Sequence, residues 1–363
     1  MKRILGCNPY ENRFGNPLYL VFAAFLLILS GCEPEVEDIP WEDVSINYKS
    51  HRLDLDMFAA AEAYAQDSTL NAFEVYQERF ANHREFLVDW IFYGNDSIAT
   101  DSVLSIFLYD FLNDPNALQL FTDIEERFPE GGENPLASLE ELFKRYKFHF
   151  PRNTVPVVVT FADGFPPTIQ AGLEQLFLNK RYLGVGIHYL LGKSYRFYPP
   201  DLPQYLRRRC NPEHLPSSVA HKFAETLIPP PNIEDNPVLI DHVVHRGLQM
   251  HLVDQLLGPV TEDSIKLYYT TTQMEWANSF EARAYKEMVE LLYEVDATTI
   301  RRYVEDSPFT SQLARESAPR LGWFIGWKIV QHYAEKFPDE KLEALIYRRD
   351  FQTIFKKSGY RPE

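Results

Sequence analysis

Residues Asn236–Gly258 read NPVLIDHVVHRGLQMHLVDQLLG. Pro237 suits a first helical position and Gly258-Pro259 ends the run, so the stretch is predicted as one helix. Apolar residues fall on every side of it, from Val238, Leu239 and Ile240 to Leu252, Val253, Leu256 and Leu257. A helix apolar nearly all round belongs in an interior. It nevertheless carries Asp241, His242, His245 and His251. Titratable groups buried on a helix cost free energy unless they are partnered. Asp241 and His245 stand four apart, on one face. Either they form a structural Asp–His pair, the simpler reading, or both reach one metal or ligand. His251 lies six residues past His245, off that face.

The chain has 363 residues, 45% hydrophobic and 14% aromatic, ample for a large core. Its formal charge is −16. The first 31 residues hold Lys2, Arg3 and Arg13 against Glu11, a net of +2, which leaves −18 on the remainder. So acidic a body argues against nucleic acid and against electrostatic binding to anionic lipid.

Lys2, Arg3 and Arg13 form a positive opening, and Leu18–Leu29 (LYLVFAAFLLIL) is an apolar run too short for a comfortable span. It suits a signal segment. The run ends in Leu29-Ser30-Gly31-Cys32, which resembles a bacterial lipobox. That resemblance implies cleavage after residue 31 and a covalent lipid, such as palmitate, on Cys32. Glu33 stands where Asp would mark inner-membrane retention, which leans the expectation toward the outer membrane. The acidic, proline-bearing residues 32–50 read as a flexible tether, and 51–363 as a single globular domain. With Cys7 and Cys32 assigned to these segments, no structural disulfide is expected. Cys210, in RRRC, reads as a surface-loop thiol.

The pattern is helical over 51–150, with Pro129-Glu130-Gly131-Gly132 as a breaker. Thr154–Phe161 (TVPVVVTF) and Tyr182–Leu191 (YLGVGIHYLL) are β-like runs able to pair in a small sheet, with His188 expected to alternate outward. Asp163-Gly164 and Pro166-Pro167 stop the first run. Helices are predicted over Gln273–Tyr293, with Thr272 and Glu275 as a capping box, over Asp296–Val304, Pro319–Phe337 and Leu342–Lys356. Gly322 and Gly326 permit close packing in the third of these. Arg320, Trp323 and Trp327 either close over the central helix or, in the plainer reading, the tryptophans are core.

Several blocks resemble the gliding-motility-associated lipoprotein family GldB. They are LSGC at Leu29–Cys32, YLGVGIHYLLGKSY at Tyr182–Tyr195, DHVVHRG at Asp241–Gly247, QMEWANSFEARAY at Gln273–Tyr285, SPFT at Ser307–Thr310 and APRLGWFIGWKIVQHY at Ala318–Tyr333. The resemblance implies an envelope lipoprotein needed for gliding, with other gliding and secretion proteins as partners. A more distant resemblance links the order of sheet, central helix and downstream helices to HExxH zinc peptidases. On that alignment Asp241 stands at the first His, His242 at the Glu and His245 at the second His. Zinc hydrolysis needs two ligands four apart and a Glu to take a proton from bound water. The spacing survives and the base does not. Glu281 is the expected third ligand, with Glu275 behind it.

The expectation is therefore a mainly helical α+β fold, a zincin-like helical body with a small sheet. Asp241, His242, His245 and Glu281 are a candidate relic site, with no catalytic residue, metal or cofactor beyond the lipid on Cys32. The function expected is non-catalytic support of gliding motility. The alternatives are a metallopeptidase-like enzyme and a periplasmic or surface module binding peptide or glycan.

Overall fold

A computed structural model describes residues 40–164, 175–310 and 316–363. The signal segment, Cys32, the start of the tether and Pro166-Pro167 lie outside them. The N-terminal helices are α1 (Leu53–Gln66), α2 (Ala72–Arg79), α3 (Arg84–Ile91), α4 (Asp101–Leu112), α5 (Pro115–Arg127) and α6 (Leu139–His149). After the sheet come α7 (Gln204–Arg207), α8 (Leu215–Leu227), α9 (Leu239–Leu257), α10 (Asp263–Leu267), α11 (Thr271–Ser279) and α12 (Glu281–Val289). The chain closes with α13 (Ala297–Val304), α14 (Leu321–Lys336), α15 (Leu342–Ile346) and α16 (Phe351–Ser358). Among the described residues no helix is long and apolar enough to cross a membrane.

The sheet has four strands, β1 (Ser50–Arg52), β2 (Val157–Phe161), β3 (Leu176–Leu178) and β4 (Tyr182–Gly186), in the order β1-β2-β4-β3. The two β-like runs do pair, in parallel, from Val157↔Tyr182 to Phe161↔Gly186. Val158–Phe161 and Leu183–Gly186 are buried, as parallel strands covered on both faces require. β1 joins β2 in parallel, with the whole N-terminal helical stretch as the crossover, while β3 and β4 are antiparallel. β1 and β3 were not legible in the sequence. Each has three residues, too few to show alternation. β1 is tied down by charge instead: buried Asp54 accepts from Arg52 Nη2 at 2.7 Å and from the Thr160 hydroxyl across the sheet.

The second run ends sooner than expected. Ile187–Leu190 tightens into a 3₁₀ turn, which ends the strand alternation. His188 is therefore fully buried rather than outward, its Nε2 3.2 Å from Asp163 Oδ1.

The tether also shortens. Val44 is buried, Ile46 and Tyr48 pack on the core, and the Tyr48 ring lies 5.1 Å from that of Phe143 on α6. Arg145 of α6 sits 3.7 Å over the Trp41 ring. The alternation of Val44, Ile46 and Tyr48 beds this stretch on the body from Trp41 onward.

α9 is the central strut expected of Asn236–Gly258. It starts two residues later, because Pro237 precedes the cap residue Val238. Its first amides are satisfied from outside, Leu239 N by Glu294 O at 2.9 Å and Ile240 N by Leu292 O at 3.1 Å. It ends at Gly258, φ +73°, where a Cβ would strike the Arg145 guanidinium. Helices α6, α8, α13, α14 and α16 pack around it, so apolar residues are needed on all its sides.

Three predicted helices divide. Within the helical 51–150 stretch, Leu70–Gly94, where Phe73, Tyr76, Phe80, Phe86, Leu87, Trp90 and Ile91 stand at helical spacings, breaks at the 3₁₀ turn Ala81–His83. Gln273–Tyr293 breaks at Phe280 into α11 and α12. The capping box there is Thr270 with Gln273, not Thr272 with Glu275: Thr270 Oγ1 accepts from Gln273 N at 3.1 Å, and Gln273 Oε1 accepts from Thr270 N at 2.9 Å. Leu342–Lys356 breaks before Asp350, whose carboxylate holds Arg348 Nε at 2.8 Å.

Candidate functional site

The expected relic site is not assembled. Asp241 Oδ2 accepts from Val238 N at 3.0 Å, closing the open start of α9 where a carboxylate also favours the helix dipole. One turn on, His245 Nε2 lies 3.0 Å from Ile228 O at the end of α8, so Nε2 carries the proton and donates. Gln249 Nε2 donates to the same carbonyl at 3.0 Å. Glu281, at the head of α12, accepts from the Tyr360 hydroxyl. The Asp241–His245 pair is not formed either, because each side chain holds a backbone group instead. Among the described residues no group of three or more His, Cys, Asp or Glu is placed to hold a metal ion. Four-residue spacing did align Asp241 and His245, but a free amide and a free carbonyl captured them separately.

Burial drives His245 down to about 4. The Ile228 carbonyl works against this and is outweighed, and Arg246, Arg349 and His242 add to the fall. Burial likewise takes His149 to about 4 and His221 to about 3. Each folded value lies below the unfolded one near 6.5, so each stabilises fully above about pH 6.5 and loses that contribution as pH falls toward about 4, or toward about 3 for His221. Urea unfolding is thus expected to show stability falling between those values. His245→Gln should flatten the fall, and an unchanged slope would contradict this account.

Polar chemistry gathers beside α9 instead, in a pocket of about 340 Å³. Arg209, Ser218, His221, Lys222, Arg246 and Asp306 line it, with Tyr268 and Trp323 as aromatic walls. Asp306 joins two cations. Arg209 Nη1 donates to its Oδ2 at 3.1 Å, with Nη2 on Oδ1, and Arg320 Nη1 lies 2.8 Å from Oδ1. Arg320 is 2% exposed; its Nη2 donates to Leu267 O at 2.6 Å, and its Nε has no hydrogen-bond partner among the described residues. The guanidiniums stack on the walls, Arg209 4.4 Å from the Tyr268 ring centre, Arg320 4.6 Å and Arg246 4.9 Å from that of Trp323. His221 Nε2 donates to Lys266 O at 2.8 Å and its ring lies 4.9 Å from Tyr268. Tyr268 and Arg320 both take left-handed backbone, φ +54° and +50°. Side chains seldom adopt this, and strain of that kind survives only where the surroundings over-determine it.

The family model described as gliding motility protein GldB matches residues 33–362. The chain belongs to the GldB family. No curated protein and no solved structure matches it. Two of the blocks that carry the GldB resemblance meet at the pocket. DHVVHRG supplies Arg246 to its lining, and APRLGWFIGWKIVQHY supplies Trp323 and, behind the lining, the Arg320 that pairs with Asp306. Arg320 and Trp323 were visible as companions of the central helix. Arg209 was visible only through Cys210, and Asp306 carried no signal. Cys210 itself is buried rather than a surface thiol, and burial pushes it up to about 11 against the pull of Tyr198, Arg209 and Arg207.

Proposed function

We propose that this GldB-family chain is a lipid-anchored, non-catalytic protein of the cell envelope, in the outer membrane, that supports gliding motility by assembling with or stabilising gliding and secretion proteins. The observation that carries the non-catalytic reading is the fate of α9's polar groups. Asp241 closes the helix start and His245 bonds Ile228 O, so the helix that would hold a catalytic centre serves as a strut. The anchor rests on LSGC at Leu29–Cys32, with the family match beginning one residue later. No geometry favours the peptidase alternative, because Asp241, His245 and Glu281 answer to three separate partners.

The test replaces the gene in its own cell. Cys32→Ala is expected to abolish incorporation of labelled palmitate and to impair spreading on agar. Asp241→Asn, which keeps the acceptor for Val238 N, is expected to spread normally. A non-spreading Asp241→Asn strain with normal protein level, or stoichiometric zinc in the purified full chain that Asp241→Ala loses, would sink the non-catalytic reading. Normal spreading of a deletion strain would remove the motility role.

A further inference from the structure

Three cations, Arg209, Lys222 and Arg246, line the pocket beside α9 with three carboxylates, Glu225, Glu305 and Asp306, and the buried Arg320 stands behind them. On the pocket's inner wall Asp306 takes Arg209 and the Arg320 behind it. Arg209 and Arg320 share that carboxylate, whereas Arg246 forms no ion pair within 4 Å among the described residues. Half-buried Arg246 is fixed in place all the same. Its Nη1 donates to Gln249 Oε1 at 2.7 Å, Gln249 is held by Ile228 O, and the guanidinium stacks on Trp323. Nη2 and Nε remain as a spare fork. Lys222, also lining the pocket, forms no ion pair among the described residues either. Glu225, Asp306 and Glu305 act on Arg246 from beyond ion-pair distance and leave its fork open, and a cation held rigid beforehand binds an anion at low further cost.

We propose that this pocket binds a ligand through its carboxylate, held by the spare fork of Arg246 with Lys222 beside it. A planar carboxylate matches the guanidinium fork. Leu176, Val304 and Trp323 offer an apolar wall for the body of the ligand, and the volume suits a small molecule or a chain end. The exposed Glu225 and Glu305 at the rim select against a dianion such as phosphate, because a second negative charge would face them. This assignment stands independently of the motility reading, since the pocket does not depend on the anchor or on α9's capping bonds.

The experiment titrates the detergent-solubilised full chain with benzoate, and separately with inorganic phosphate, at ionic strength fixed with chloride. Tryptophan fluorescence and Tm are read together. Benzoate is expected to give a saturable change in both, and phosphate a weaker one. Arg246→Met, which keeps an apolar chain against Trp323, should weaken benzoate roughly tenfold or more, from the loss of a charge-assisted pair. Lys222→Met should weaken it less, and Glu305→Gln should tighten it. These two surface changes keep the test open should Arg246→Met fold poorly. No saturable response to benzoate, phosphate binding more tightly than benzoate, or responses unchanged in both Arg246→Met and Lys222→Met would overturn the assignment.

Discussion

Gly326→Ala is expected to destabilise the protein by about 3 kcal/mol or more, the upper range for forcing extra atoms into a packed interior. α9 and α14 cross with Gly247 facing Gly326. A Cβ on Gly326 would lie 2.1 Å from Val243 O, and one on Gly247 would lie 2.2 Å from Gly326 O. The obstacle in each case is a helix carbonyl, not the tip of a side chain that could swing aside. Relief therefore requires the helices to part, and both are lined by fully buried residues such as Val244, Leu248, Phe324 and Ile329. Parting them opens voids on either side of the crossing, each with its own penalty. In an isolated helix the same change would stabilise by about 1 kcal/mol, so the sign is a direct reading of the contact. Urea unfolding of Gly326→Ala, Gly247→Ala and the double variant tests it. The double should cost less than the two singles added, since one separation relieves both clashes. A wild-type midpoint for Gly326→Ala would show that the helices do not meet backbone to backbone.

That crossing marks what the sequence made legible. Gly326 and the all-round apolar run of Asn236–Gly258 are local patterns, and local patterns report how an element packs. The same held for Val157–Phe161 and Tyr182–Gly186, whose β-rich runs are long enough to carry a period. Ser50–Arg52 and Leu176–Leu178 are not, and their strand state comes from neighbours. The candidate site failed for a related reason. Spacing placed Asp241 and His245 on one face, but nothing in spacing reveals that Val238 N and Ile228 O reach them first. Arg209 and Asp306 meet across 97 positions of chain, a convergence that only the packing of α8, α9, α13 and α14 creates.

Asp306 is where that convergence has its largest electrostatic consequence. Asp306→Ala should cost about 2–3 kcal/mol at neutral pH, below the full penalty for breaking a buried pair because its side chain is 39% exposed. The loss comes from what stays behind. Arg320, 2% exposed, cannot turn to water, and without the carboxylate it faces Arg209 alone. Replacing the stranded cation should therefore recover part of the loss: Arg320→Met in the Asp306→Ala background is expected to be more stable than Asp306→Ala itself. The pH dependence separates this from a packing defect. Burial works against ionisation of Asp306, but Arg320 and then Arg209 outweigh it and hold the carboxyl below its ordinary range. A depressed carboxyl stabilises fully above its unfolded value near 3.9 and loses that contribution as pH falls through the lower folded value. Wild type and Asp306→Ala should thus differ most above about pH 4 and converge below it, a window lying under the one set by His149 and His245. Urea unfolding at neutral pH and again near pH 3 measures both gaps. A gap that persists undiminished in acid, or a double variant no better than Asp306→Ala, would mean that Asp306 supports the fold by shape and not by charge.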